Sequence, residues 1–366
     1  MKTIYITLFI SFIFPTNNSQ LIDSIVINGN KRTKDYIIKR EILHPIGSLD
    51  SLILNEDINR LYNLGIFSKV NIYVDNQTYY IDVIESFSII PILDVNYDEI
   101  KEDFTYIVGI ADINFMGRNQ SFFLGNAFGG EKVYFLGLNN PWIFGDHISF
   151  KTEFENRESQ NIFYEFDFDE KINLIELGFY KGLKNRFKFG LKYYKNTIQE
   201  PSASNQYYDL IIDKGLQHKY IITNFNYQYD TRDIYIDPTK GHLFNIGFKY
   251  YKGINKTDNI LSIFMKLKFF HSVDLYSNPV FSYQIQTINK FPRFNQLPFF
   301  AYEYLGGESF VRGYSSLPNE APEEVSRLIE NSNIIYCSFE LQNTLIQRKD
   351  FGKIEFGLDG IVFFDI

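Results

Sequence analysis

The chain has 366 residues, a formal net charge of −8 and an aromatic content of 18%, made up of 37 Phe, 27 Tyr and one Trp. The negative charge and the lack of a basic stripe argue against a nucleic-acid-binding protein. The single cysteine, Cys337, excludes an intramolecular disulfide and a cysteine-based metal cluster, and we expect neither a metal nor a cofactor. The sequence contains no internal run of eighteen apolar residues, so it predicts no transmembrane helix. A high aromatic content without such runs favours alternating strands, in which every second residue faces lipid.

The first twenty residues have the features of a signal peptide. Lys2 supplies a positive start, residues 4–14 are apolar, and residues 15–20 are polar and prone to turn. The apolar part is too short for a membrane-spanning helix. We expect cleavage near Ser19 or Gln20, although the small-x-small pattern there is weak. No cysteine follows, so a lipoprotein anchor is not expected, and the mature chain should leave the cytoplasm.

Residues 21–86 predict a small α+β domain with the element order β-α-α-β-β. A first strand ends in the turn "NGN", after which Thr33 is the predicted cap of a helix that runs to about Ile42. Asp50 or Ser51 is the predicted cap of a second helix, which carries one apolar stripe. Two strands follow, "FSKVNIYVD" and "TYYIDVIES".

The element order and two sequence motifs of this domain, "I-x-I-x-G-N" and "L-x-x-x-G-x-F-x-x-V", resemble those of a POTRA domain, the periplasmic module that binds polypeptides. The resemblance implies that an edge strand can take up a passing chain by β-augmentation, which needs only backbone groups. A passive spacer is the alternative. Nothing in the domain predicts catalysis, since His44 stands alone.

Residues 87–366 predict an antiparallel transmembrane β-barrel, so the fold class is mainly β. Roughly thirteen strands of about 9 to 13 residues follow one another, which is the length that a tilted membrane-spanning strand needs. In "RFKFGLKYY", Phe187, Phe189 and Leu191 share one face, and the intervening polar residues share the other. A soluble sandwich would also alternate, but it would favour Val, Ile and Leu in its core rather than recurring Phe and Tyr.

Four local signatures follow in order along the predicted barrel. They are "NFMGRNQ", "NNPWIFGD", "YDTRDIYIDPTKG" and "GGESFVRGY". The third places Asp230, Arg232, Pro238 and Gly241 in the arrangement D-x-R-x5-P-x2-G. With the preceding POTRA-like domain, this set resembles the outer-membrane insertase and translocase superfamily of BamA and TamA, also called bacterial surface antigens. The resemblance covers essentially the whole mature chain.

In that superfamily a long loop with V-R-G-[FY] folds into the barrel lumen. The matching residues here are Gly306, Gly307, Val311, Arg312, Gly313 and Tyr314. The resemblance implies that Arg312 meets two acidic partners on the following strands, Glu340 in "SFELQ" and Asp365 in "VFFDI". A guanidinium in a confined lumen needs a carboxylate partner, and the glycines would let the loop turn tightly. The alternative is a solvated extracellular arginine.

The strand count departs from the family pattern. The resemblance implies about sixteen strands with the first closed on the last, whereas the thirteenth strand contains the final residue, Ile366. Two unpaired edges in lipid would be unfavourable. The expectation is therefore an incomplete gene product whose nucleotide sequence continues into three more strands, or a barrel that closes irregularly or with a partner.

The resemblance implies a non-enzymatic assembly factor of the bacterial outer membrane, with its POTRA domain in the periplasm. The expected partners are outer-membrane lipids, unfolded outer-membrane or secreted polypeptides, and accessory assembly lipoproteins. A secretion pore for one polypeptide is the alternative, although such translocators usually carry two POTRA domains. "GESFV" around Ser309 is a near match to a serine-hydrolase elbow, but Val311 replaces the second glycine and no strand-to-helix context surrounds it.

Overall fold

The structure is a computed structural model that describes residues 21–366 except 45, 99–102, 144–146, 162–163, 183, 255–256, 275–277, 294–295, 305–309 and 313–329. The predicted signal peptide lies outside the described residues. The described strands form a three-stranded sheet near the N-terminus, one large antiparallel sheet and two short two-stranded ladders. None of the helices in the described part of the chain combines the length and the hydropathy of a membrane span.

The N-terminal module has the predicted β-α-α-β-β order and one additional short ladder. Its elements are β1 (Leu21–Ile22), β2 (Ser24–Asn28), α1 (Asp35–Lys39), β3 (Gly47–Ser48), α2 (Ser51–Tyr62), β4 (Phe67–Asp75) and β5 (Thr78–Glu85). The sheet order is β2-β5-β4, with β2 parallel and β4 antiparallel to β5, while β1 pairs with β3. Ile38 and Leu61 of the helices are buried with Tyr79 and Ile81 of the sheet, so the module has its own core.

The two helix starts differ from each other. Asp50 caps α2, because its Oδ1 accepts hydrogen bonds from the N–H groups of Leu52 at 2.8 Å and Ile53 at 3.4 Å. The prediction for Thr33 was wrong, since Lys34 occupies the N-cap position of α1 and makes no side-chain cap bond. The Thr33 hydroxyl instead accepts a hydrogen bond from the Asn114 side chain in the large sheet, so a tertiary contact uses the group that the cap would need.

The large sheet contains the thirteen predicted strands. Its strands, with the short elements that interrupt them, are β6 (Ile89–Asp98), β7 (Asp103–Phe115), β8 (Gln120–Gly129), β9 (Lys132–Asn140), β10 (Ile148–Asn161), β11 (Phe166–Lys181), β12 (Asn185–Ile198), α3 (Tyr208–Lys214), β13 (Gln217–Asp230), β14 (Gly241–Gly253), β15 (Ile260–Ser272), β16 (Val280–Phe291), β17 (Glu303–Tyr304), β18 (Glu330–Asn331), β19 (Asn333–Phe351) and β20 (Ile354–Asp365). Each of the thirteen bonds its neighbour in chain order, with β16 next to β19. The order begins at β6 and ends at β20, and no backbone ladder joins these two among the described residues.

The two faces of the sheet differ in chemistry, as the alternation predicts. On the outer face, Phe187 stacks on Phe179 with ring centroids 4.7 Å apart, and Phe189 is half exposed. On the inner face, Lys188 Nζ lies 3.4 Å from Glu176 Oε1. Apolar rings outside and ion pairs inside are the arrangement of a barrel that is surrounded by lipid.

The long connection between β16 and β19 lies against the inner face. Leu297, Phe299 and Tyr302 of this connection are buried in one cluster with Tyr164 and Ile211. Ile211 belongs to α3, a helix within the loop that follows β12, and the sequence pattern did not predict this helix. Apolar contacts therefore hold part of the connection against the β10–β13 side of the barrel.

Candidate functional site: the Arg312 anchor

Arg312 lies on the connection between β16 and β19, and its side chain contacts the inner face of β19 and β20. Its Nη1 lies 2.8 Å from Glu340 Oε1, and its Nε and Nη2 donate to the two carboxylate oxygens of Asp365, both at 2.8 Å. Its backbone N–H also donates to Asp365 Oδ2 at 3.1 Å. One guanidinium therefore joins two strands by charge-assisted hydrogen bonds, two of which form a bidentate pair.

The pleat of β19 and its register with β20 build this site. Tyr336, Ser338 and Glu340 lie on the same face of β19 because every second side chain points to that face, and Ser338 is directly opposite Asp365. Ser338 Oγ accepts a hydrogen bond from Arg312 Nη2 at 3.0 Å, and the Tyr336 hydroxyl donates to Asp365 Oδ1 at 3.1 Å. The Asp365 carboxylate is thus surrounded by donors.

Two further strands contribute to the site through Glu340. Ser282 of β16 donates a hydrogen bond from its hydroxyl to Glu340 Oε2 at 3.1 Å, and Lys268 Nζ of β15 lies 3.6 Å from the same oxygen. On β20, the Phe363 ring lies under the guanidinium, with its centroid 3.7 Å from Arg312 Cζ, which is a cation–π contact. We call the set of Arg312, Glu340 and Asp365 the Arg312 anchor.

The anchor contains one guanidinium and two carboxylates, with Lys268 beside Glu340 as the second cation, and these charges are unequally shielded from water. The Asp365 side chain is 3% exposed, whereas the Arg312 side chain is 26% exposed. Removal of Arg312 would leave a buried carboxylate without its cation, a change that costs roughly 3–5 kcal/mol when the pair is fully buried. Partial exposure reduces this cost because water screens the remaining charge. The anchor therefore fixes the connection to the barrel wall without being sealed from solvent.

A second contact fixes the same connection nearer to its start. Lys290 Nζ on β16 donates to the carbonyl oxygen of Ala301 at 2.6 Å and lies 2.6 Å from Glu303 Oε1. Phe299 packs on Tyr164 with ring centroids 4.3 Å apart. The connection is therefore held at three places, by the aromatic cluster, by Lys290 of β16 and by Arg312.

Asp230 and Arg232 form a compact ion pair at the end of β13. Arg232 donates from Nε to Asp230 Oδ1 at 2.9 Å and from Nη2 to Asp230 Oδ2 at 2.8 Å. Its Nη1 donates to the carbonyl oxygen of Tyr235 at 3.1 Å, and the Gln228 side chain donates to Asp230 at 3.1 Å. The Asp230 side chain is 0% exposed and that of Arg232 is 17% exposed. The pair closes the turn between β13 and β14.

Pro238 and Gly241 belong to this same turn. Pro238 lies within it, and Gly241 is the first residue of β14 with a φ of +102°. A Cβ atom at Gly241 would overlap the carbonyl group of Thr231, so both the backbone angle and the lack of space require glycine. The four residues of the D-x-R-x5-P-x2-G pattern therefore meet in one turn.

Not every residue of the loop motif can be placed. Gly306, Gly307, Gly313, Tyr314 and also Ser309 lie outside the described residues. Val311 is described, and it packs against the small cluster of Phe310, Ile334 and Tyr336 next to the anchor.

The sequence reasoning missed an extensive contact between the N-terminal module and the turns of the large sheet. Asn63, at the end of α2, donates from its side chain to the carbonyl oxygen of Asp233 at 2.9 Å and accepts from the N–H of Tyr235 at 2.8 Å. Arg40 lies over the Trp142 ring, with Cζ 4.3 Å from its centroid. The available signal was the set of turn signatures "NFMGRNQ", "NNPWIFGD" and "YDTRDIYIDPTKG", which predicted turns but no contact partner.

Comparison with known proteins places this architecture in a family. A family model described as the Omp85 superfamily domain matches residues 114–366, and a POTRA model described as a surface antigen variable number repeat matches residues 20–85. The structure is similar to that of BamA from Haemophilus ducreyi lacking POTRA domains 1–3, with a TM-score of 0.54 and 17% identity over 94% of this chain and 72% of that chain.

Two further solved structures show weaker similarity. CdiB from Acinetobacter baumannii has a TM-score of 0.49 and 13% identity over 89% of this chain and 60% of that chain. CdiB from Escherichia coli has a TM-score of 0.49 and 10% identity over 93% of this chain and 79% of that chain. The search of curated proteins finds no match by sequence.

Fold and site together define a class of outer-membrane β-barrel proteins that carry a POTRA domain before the barrel. Within that class, the chain belongs to the Omp85 superfamily, whose domain model matches more than half of it. The general role of this superfamily is the insertion or translocation of polypeptides.

Proposed function

We propose that this chain is a non-enzymatic assembly factor of the outer membrane. In this proposal, the POTRA domain lies in the periplasm and receives unfolded outer-membrane polypeptides, while lipid surrounds the outer face of the barrel. The first barrel strand, β6, then serves as a template for the incoming strand. The observation that carries the proposal is the close attachment of the POTRA domain to the N-terminal end of β6.

Three residues, 86–88, connect β5 of the POTRA domain to β6. Arg32 donates from Nη1 to Ser88 Oγ at 2.6 Å and forms an ion pair with Asp112 of β7. The Glu85 carboxylate accepts from the N–H groups of Arg32 at 3.0 Å and Thr33 at 2.6 Å. The Glu85 bonds fix the backbone that carries Arg32 within the POTRA domain. The bonds of Arg32 to Ser88 and Asp112 hold the domain beside the start of β6, so a polypeptide that it binds would reach that strand first.

The edge of β6 is suited to pairing. Its backbone pairs with β7 on one side, and it has no second neighbour among the described strands. Leu93 and Val95 are 73% and 57% exposed. Pro91 has no N–H group, and prolines within sheets occur on edge strands. An extended polypeptide could add to this edge by β-augmentation, which depends on backbone hydrogen bonds rather than on a particular sequence.

The Arg312 anchor supports this function by position. It holds the connection against β19 and β20, so that the inner face keeps one arrangement while strands are added at β6. We propose no chemical step for Arg312, Glu340 or Asp365, since a bidentate arginine–carboxylate pair on a barrel wall orients the backbone that carries it.

The test is site-specific photo-crosslinking during the assembly of an unfolded outer-membrane protein in proteoliposomes. A photoreactive residue at Val95 on β6 should capture the incoming chain, whereas the same residue at Leu191 on the outer face of β12 should not. Leu191 is 52% exposed and Val95 57%, so the two positions are matched in accessibility. Equal capture at both positions, or capture at neither, would refute the template role of β6.

The secretion pore is the other outcome of the same experiment. A polypeptide in transit through the barrel would contact the inner face, so a photoreactive residue at Lys192 would capture it instead of Val95. Depletion in cells separates the two functions as well. Loss of many barrel proteins is expected for the assembly factor, and loss of one secreted polypeptide for the pore.

A further inference from the structure

A cavity of about 210 Å³ lies between the POTRA domain and the turns of the barrel. Arg60 lines it from α2, while Trp142, Tyr180, Arg186 and Tyr235 line it from the barrel. Neither the assembly function nor the Arg312 anchor uses this cavity. Its lining is unusual because it contains two arginines, Arg60 and Arg186, and only one carboxylate among the described residues, Glu41.

Both arginines keep a buried N–H group without an acceptor among the described residues. Arg60 uses Nη2 to contact Glu41 Oε2 at 3.0 Å and Nε to contact the Glu41 carbonyl oxygen, but its Nη1 has no partner. Arg186 donates from Nη2 to the Tyr235 hydroxyl at 2.5 Å, but its Nε has no partner. Buried donors are nearly always satisfied in folded proteins, and each unsatisfied group therefore requires an explanation.

The charge of the cavity is positive. Glu41 is its one carboxylate among the described lining residues, and it faces Arg40 as well as Arg60. Burial raises the pKa of Glu41, although the neighbouring arginines act in the opposite direction. Two to three guanidinium groups against one partly disfavoured carboxylate leave a net positive site that excludes cations and attracts anions.

The remaining polar group favours an oxyanion in the same way. The Tyr235 oxygen accepts from Arg186, so the phenolic hydrogen is left to donate elsewhere. Burial raises the pKa of Tyr235, which keeps this hydrogen in place at neutral pH. The Arg186 guanidinium also lies over the Tyr235 ring, with Cζ 4.8 Å from the centroid, so its position is fixed before a ligand arrives.

We propose that this cavity binds a phosphate group, through Arg60, Arg186 and Tyr235, and that the bound group joins the POTRA domain to the barrel. A phosphate has enough oxygens to accept from the guanidinium groups of Arg60 and Arg186 and from the phenol at once, and arginine is the residue best suited to this geometry. A lipid headgroup and free inorganic phosphate share this chemistry, and the measurements below separate the two sources.

The experiment measures the heat stability of the purified full-length chain in detergent as inorganic phosphate is added at constant ionic strength. A ligand that binds only the folded state raises the unfolding temperature in a saturable way. Arg186→Gln should weaken phosphate affinity about tenfold or more, because one charge-assisted contact is lost. Tyr235→Phe, which removes one hydroxyl, should weaken it less.

Arg157→Gln is the matched control. Arg157 also lies on a barrel strand with a carboxylate partner, Glu155 at 3.1 Å, but it is about 30 Å along β10 from the cavity. Its phosphate response should equal that of the wild type. If chloride at equal ionic strength stabilised the chain as much as phosphate, the effect would be general screening and the site would be refuted. An unchanged phosphate affinity in both Arg186→Gln and Tyr235→Phe would refute it as well.

A second measurement separates the two sources. In nanodiscs of phosphatidylglycerol, a lipid headgroup in the cavity would abolish the response to added inorganic phosphate, and native mass spectrometry would detect one retained lipid that Arg186→Gln loses. If the phosphate response persisted in these nanodiscs, free phosphate would be the ligand. Either source supports the site, and failure of both leaves the proposed assembly function unaffected because β6 is not involved.

Discussion

The Arg312 anchor and the Asp230–Arg232 pair use the same chemistry over different distances along the chain. Arg232 reaches a carboxylate two residues away within one turn, and the Asp230 side chain is completely buried. Arg312 reaches Glu340 and Asp365, which lie 28 and 53 residues further on, and it remains about one-quarter exposed.

The Asp230–Arg232 pair is a local interaction, whereas the Arg312 anchor is a long-range one. The Asp230–Arg232 pair stabilises the turn that contains it, and Asn63 of the POTRA domain hydrogen-bonds to that same turn. The Arg312 anchor instead joins a long connection to four strands, β15, β16, β19 and β20. We therefore expect loss of the first to reduce stability most, and loss of the second to affect assembly beyond its effect on stability.

The largest effect is expected for Asp230→Ala. It leaves the mostly buried Arg232 without its carboxylate, and breaking a buried pair in this way costs roughly 3–5 kcal/mol. Unfolding by denaturant in lipid vesicles measures this loss. The double variant Asp230→Ala/Arg232→Ala should recover part of the stability, because it removes the uncompensated charge. A double variant as unstable as the sum of the two single variants would show that the two side chains do not interact.

Arg312→Ala should have the second largest effect, about 2–3 kcal/mol, since the exposed part of the guanidinium reduces the cost below that of a fully buried pair. Client assembly in proteoliposomes should fall further than this loss explains, at temperatures where the heat-modifiable band on gels still reports a folded barrel. Arg312→Lys keeps the charge but lacks the bidentate geometry, so it should lie between the alanine variant and the wild type. An alanine variant that matches the wild type in both measurements would contradict the anchoring role.

Glu340→Gln should have the smallest effect, about 1 kcal/mol, because Asp365 keeps its bidentate bond to Arg312 and glutamine can still accept a hydrogen bond. Glu158→Gln is the control, since the Lys132–Glu158 pair is 61% and 48% exposed and such pairs contribute about 0–1 kcal/mol. Urea unfolding of both variants under one set of conditions gives the comparison. If Glu340→Gln were as damaging as Arg312→Ala, Glu340 rather than Asp365 would be the main partner.

The strands could be predicted because their signal is local and repeated. Each carries its own alternation of apolar and polar residues, and the thirteen predicted segments are the thirteen strands of the large sheet. The helix cap was predicted as Asp50 or Ser51 for the same reason, since the cap at Asp50 depends on residues two and three positions away. The cap at Thr33 failed because a distant residue, Asn114, takes its hydroxyl.

Only some contacts of the Arg312 anchor could be predicted from the sequence. The motif in the sequence indicated Arg312 and the two carboxylates through a family resemblance, whereas spacing alone contained no information on a pairing across 53 residues. Phe363, Ser338 and Lys268 had no signal in the sequence. They belong to the site because strand register places them beside Glu340 and Asp365.

The sequence by itself determined the two-part organisation, the strands, their two faces and the turns, since each depends on alternation or on residues a few positions apart. Only the tertiary structure decided that the POTRA domain rests on those turns and that two arginines with buried, unpaired N–H groups line the cavity between them. The physical reason is that such contacts form between surfaces that the chain brings together after each element is complete. Short-range sequence patterns therefore do not predict these contacts.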